Sequence, residues 1–71
     1  MTRDFLLKHV AEAERHIIET ESLVQHHHEI IANLRATGGD TTNAERLLDN
    51  TIGILGAHER HLAFLRGLLA K

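Results

Sequence analysis

Seventy-one residues make one small domain at most, with little room for a core. The chain has no cysteine, which excludes disulfides and thiolate zinc sites and leaves a metal, an oligomer or unusually regular helix packing to stabilise it. Eight Lys and Arg against ten Asp and Glu give a formal net charge of −2, without the basic stripe that a nucleic-acid partner requires.

Proline is absent, and Ala, Glu, Leu and Arg recur through the first half, predicting a helix over about residues 3–37. Thr2 or Asp4 is the candidate cap, with acid placed at the positive end of the helix dipole. Gly38-Gly39 ends the run, because glycine takes the left-handed conformation that a helix C-cap needs, and the turn occupies about residues 38–41. Thr42-Asn43-Ala44-Glu45 reads as a capping box opening a second helix over about residues 42–69. No strand pattern competes, and so short a connection folds the two helices back antiparallel. The expected class is all-α, a two-helix hairpin filling residues 1–71. Ile52 to Ala57 and Leu62 to Leu65 are too short to span a bilayer, and no signal-peptide pattern is visible, so the expected home is the cytoplasm, without a membrane partner.

Seven-residue rows define the faces. In helix one, Val10, Ile17, Val24 and Ile31 form one row, and Leu6, Ala13, Thr20, His27 and Leu34 form the adjacent one. Helix two offers Leu48, Leu55, Leu62, Leu69 and Ala44, Thr51, His58, Leu65. A third row flanks each pair: His9, His16, Leu23, Ile30 and Leu47, Ile54, His61, Leu68. These rows are also related by an internal repeat. Residues 13–37 align with residues 44–68 at an offset of 31, with eight identities in 25 positions, among them Glu14/Glu45, Thr20/Thr51, His27/His58 and Arg35/Arg66. Three apolar rows exceed what one partner helix covers, so the hairpin is expected to dimerise into a four-helix bundle. Val10, Ile17, Leu23, Val24, Ile30, Ile31, Leu47, Leu48, Ile54, Leu55, Leu62 and Leu65 are the candidate core and dimer-interface residues.

A turn centred near Gly39 gives facing residues numbers that add to roughly 78. His27 then lies near Thr51, Thr20 near His58, and His16 near His61. Seven histidines, two of them in core rows at equivalent positions, are the only candidate chemistry. One reading is a haem or transition-metal site, with His27 and His58 as ligands, Thr20 and Thr51 accepting their second N–H, and His16 and His61 as further metal ligands. The plainer reading is a polar core layer that fixes register, as a buried Asn does in coiled coils. The plainer one is preferred: the Glu-x-x-His spacing of di-iron bundles is missing, and His26-His27-His28 splay around the helix. Gly53, Gly56 and Gly67 each cost a helix interior about 0.5–1 kcal/mol relative to alanine, and ordinary tolerance explains them more simply than a close helix approach or a bound ligand. No oriented nucleophile or paired carboxylate supports catalysis.

The segments Arg3-Asp4-Phe5-Leu6-Leu7-Lys8-His9-Val10-Ala11-Glu12-Ala13-Glu14-Arg15-His16-Ile17 and Asp40-Thr41-Thr42-Asn43-Ala44-Glu45-Arg46-Leu47-Leu48 resemble short, uncharacterised helical-hairpin proteins of alphaproteobacteria, rhizobia and their relatives. The resemblance covers nearly the whole chain and implies a cytosolic bacterial protein without an assigned catalytic residue. The expected function is a small dimeric module that binds or regulates another protein, neither an enzyme nor dependent on a cofactor; haem or transition-metal binding is the alternative.

Overall fold

Thr2 sits in extended backbone, and its hydroxyl accepts the N–H of Phe5 at 3.2 Å, satisfying one of the free donors of a helix start. From there the chain is helical almost throughout. The computed structural model describes residues 2–71, in two helices: α1 (Arg3–Ala36) and α2 (Thr42–Leu69).

Gly38 adopts φ 73°, the one left-handed residue among those described. This conformation turns the Gly38 N–H to the Arg35 carbonyl at 3.2 Å and the Gly39 N–H to the Leu34 carbonyl at 2.8 Å. The pair is a Schellman motif, which satisfies the last carbonyls of α1 and folds the chain back against its own final turn.

The entry to α2 differs from the expected capping box. The helix begins at Thr42 itself, and Asp40 caps it: one carboxylate oxygen accepts the Thr42 N–H at 2.9 Å and the Thr42 hydroxyl at 2.7 Å. The Thr42 hydroxyl therefore donates and does not accept, and the Glu45 N–H goes to the Thr41 carbonyl at 2.8 Å, so the box does not form. Glu45 turns its carboxylate instead to the Thr41 hydroxyl, at 3.1 Å.

The helices pack antiparallel into a rod of 53 × 14 × 13 Å. Its radius of gyration is 16.3 Å, against about 11 Å for a compact chain of this length. Leu6, Ala13, Leu62 and Leu65 form the buried cluster, flanked by Val10, Ile17, Leu68 and Leu69, while Ile31 is buried nearer the turn. No side chain is completely buried among the described residues, so the core is one seam thick. No described helix is long and apolar enough to cross a membrane.

Candidate functional site

The seam takes its residues from the two core rows. Ile31, Leu62 and Leu65 are buried, and Val10, Ile17, Val24, Leu48 and Leu55 are half-buried. Thr20 and Thr51 are buried, whereas His27 and His58 are half-buried.

The threonines do not serve the histidines. Thr20 donates its hydroxyl to the His16 carbonyl at 2.7 Å, and Thr51 donates to the Leu47 carbonyl at 2.8 Å. Each bond runs one turn back along its own helix, the nearest acceptor that a helical Thr meets. The expected Thr–His layer is therefore replaced by two buried threonines, each satisfied within its own helix.

Both inter-helix ion pairs lie on one edge of the seam. Arg35 donates to Glu45 at 2.9 Å, and Arg66 lies 3.6 Å from Glu14. All four residues belong to a row that flanks the seam on this side, which holds Leu7, Glu14, Glu21, His28 and Arg35 on α1 and Glu45, Ile52, Glu59 and Arg66 on α2, so that Leu7 and Ile52 are its only apolar members. Glu14/Glu45 and Arg35/Arg66 are equivalent at the offset of 31, so each Arg reaches the Glu of the other half. Exposed pairs of this kind contribute about 0.2–1 kcal/mol each, so they set registry more than strength.

Since these flanking rows meet on one edge, the third rows must meet on the other. That second edge carries His9, His16, Leu23, Ile30, Leu47, Ile54, His61 and Leu68, with no Asp, Glu, Lys or Arg among them. Ile30 is half-buried, but Leu23 is 52% exposed, Leu47 54% and Ile54 53%. Four of its five apolar residues, Leu23, Ile30, Leu47 and Ile54, lie on the turn half of the rod; the imidazoles lie toward its open end, with Leu68 packed there against the buried cluster.

His16 and His61, both exposed, are not paired as expected. The His16 ring instead stands beside that of His58, with centroids 5.3 Å apart and planes tilted by 46°. The numbers of this pair add to 74 and those of the two ion pairs to 80, so the contacts fall on either side of the expected 78, and the ring beside His16 is one turn from the one expected. The one ring near that of His27 is its sequence neighbour His26, at 6.4 Å, so His27 and His58 do not form a ring pair within the hairpin. His9 stacks on Phe5 at 4.3 Å and lies 3.6 Å from Glu12.

Gly53 and Gly67 face open space, and a Cβ on Gly56 would meet only the Arg60 guanidinium at 3.3 Å. None of the three admits a close helix approach. Among the described residues there is no enclosed cavity and no convergence of three or more metal-ligating side chains. The reciprocal ion pairs had a signal in the sequence, the repeated Glu and Arg beside the core rows, which row-by-row hydropathy passes over. Comparison with protein-family models, curated proteins and solved structures finds no match to this chain.

Proposed function

We propose that the chain is a self-associating hairpin: two copies join by their uncharged edges into a four-helix bundle, which acts as a protein-interaction or regulatory module and not as a catalyst. The carrying observation is the exposure of Leu23, Leu47 and Ile54 together on one uncharged edge, opposite an edge held by ion pairs.

Area supports a second copy as the occupant. The hairpin exposes 5214 Å², against about 4,400–4,500 Å² for a compact folded chain of 8.0 kDa. The difference, roughly 750 Å², is close to the ~800 Å² that each partner buries in a standard interface. A bundle would convert three half-used rows per helix into a shared core, as small chains require. The reciprocity of the Glu14–Arg66 and Glu45–Arg35 pairs further supports reading the two halves as copies of one ancestral helix.

Sedimentation equilibrium at micromolar concentration should return twice the chain mass. Leu23→Glu combined with Ile54→Glu should halve that mass, because charge placed on the edge must be desolvated in the bundle. A wild-type monomer at this concentration, or a variant that still dimerises, would overturn the proposal.

A further inference from the structure

The His16–His58 pair brings together one ring from each helix. His16 is exposed and His58 half-buried, so water and ions reach the pair. Neither ring makes a side-chain hydrogen bond or an ion pair among the described residues, in contrast to His9 beside Glu12. The nearby hydroxyl of Thr20 is already committed to the His16 carbonyl at 2.7 Å. All four ring nitrogens are therefore uncommitted.

Their spacing suits a shared ion. With metal–nitrogen bonds of about 2.0–2.1 Å, two imidazoles bound at a near-tetrahedral angle have centroids roughly 5 Å apart. The observed 5.3 Å matches this, and rotation about the Cβ–Cγ bond of either ring turns a nitrogen inward with little movement of the centroid. The only other histidines one turn apart on one helix face, His58 and His61, lie on α2 alone, so an ion between them would not join the helices.

We propose that His16 and His58 form a cross-helix binding site for a late first-row divalent metal ion, with water in the remaining coordination positions. Imidazole donors suit copper, nickel and zinc, with copper the strongest of the three in the Irving–Williams order. Because the ligands sit on different helices, the folded hairpin binds the ion and the unfolded chain holds it far less well. Metal binding therefore becomes folding stability. The site lies within one hairpin and does not need the dimer.

The test uses full-length protein without an affinity tag, titrated with nickel chloride and, separately, zinc sulfate. At free ion about 100-fold above Kd, the folding equilibrium should shift by about 100-fold, which raises Tm by roughly 10 °C or more for a chain of this size. His16→Gln and His58→Gln should each abolish the shift, and His61→Gln should retain it. With zinc, the ring-proton resonances of His16 and His58 should move while those of His26, His27 and His28 stay in place. The proposal is overturned if wild-type Tm does not respond to either ion, or if both single variants keep the full shift. It is equally overturned if His61→Gln loses the shift while His16→Gln keeps it, because the ion would then bind α2 alone.

Discussion

Replacing Gly53 and Gly67 by alanine tests the outer face of α2 with little ambiguity. Gly53 lies in the helix interior and Gly67 in its last turn, both on the side away from the seam, and an added Cβ meets nothing within 4 Å at either position. The change should then return only the helix-propensity difference, about 0.5–1 kcal/mol of stabilisation at Gly53 and less at Gly67. The two sites are ~21 Å apart along the helix, far enough for their effects to add. The double variant should gain about 1 kcal/mol, and each kcal/mol raises Tm by about 4–8 °C in a domain of this size. Gly38→Ala is the internal control of opposite sign. At φ 73° a Cβ meets no neighbour, so the substitution carries only the left-handed penalty. That penalty is about 1–2 kcal/mol, reduced by about 0.4–1 kcal/mol through the stiffer unfolded chain. Melting followed by circular dichroism, at one fixed chain concentration because association is linked to folding, measures all three. A lower Tm for Gly53→Ala or Gly67→Ala would refute the reasoning, since it would mean that something packs on the face described as open.

Three further outcomes follow from the packing. Thr20→Val and Thr51→Val should each change stability by less than about 1 kcal/mol, because a lost backbone hydrogen bond is offset by a buried methyl group and no acceptor is orphaned; a loss above about 2 kcal/mol in chemical denaturation would show that the hydroxyls serve another group. Leu65→Ala, at a residue 4% exposed in the main cluster, should cost about 2–5 kcal/mol, and a Tm within a degree or two of wild type would mean that this cluster is not the core. The Thr42 hydroxyl, and after it the Thr42 N–H, hold the Asp40 carboxyl below its ordinary 3.8, so its stabilisation is present above that pH and is lost as pH falls through the lower folded value. Asp40→Asn keeps an acceptor for Thr42 but does not titrate, so its stability should fall less steeply below pH 3.8; an unchanged acid limb would show that this cap does not contribute.

The helices and the seam were legible because heptad rows and terminal glycines act through local geometry. Ile31, Leu62 and Leu65 are buried where their rows place them, and Gly38 takes the left-handed turn that ends α1. The individual neighbours along the seam were not legible. Side chains lean along their helices, so contacts fall a few residues to either side of the facing position, and one turn of helix moves a side chain by about 5.4 Å. That distance is enough to exchange His61 for His58 beside His16. The threonines escaped for a different reason: row position predicts burial, but it does not say whether a hydroxyl bonds across the seam or back along its own helix. The cap of α2 shows a similar limit, since Asp40 and Thr42 both suit the role and only the path of the turn selects the carboxylate.

The distribution of residues along the uncharged edge decides how two hairpins should meet. Leu23, Ile30, Leu47 and Ile54 all lie on the turn half of the rod, while His9, His16 and His61 lie toward the open end, where the one apolar member, Leu68, already packs on the hairpin's own buried cluster. If the turns of the two copies sat at opposite ends, each apolar half would face imidazoles, and polar groups would be buried without partners. With both turns at one end, apolar side chains cover apolar side chains and the histidines remain at the wetter end. The proposed bundle should therefore place both turns together. The chain has no cysteine, so Asn43→Cys, at an exposed residue in the first turn of α2, gives a single labelling position. With adjacent helices 8–10 Å apart, spin labels on the two copies should lie within about 30 Å in the same-end arrangement. In the opposite arrangement they should approach the 53 Å length of the rod. A distance distribution centred near the longer value would refute the same-end packing and would require the histidine half of the edge to be buried against the apolar half.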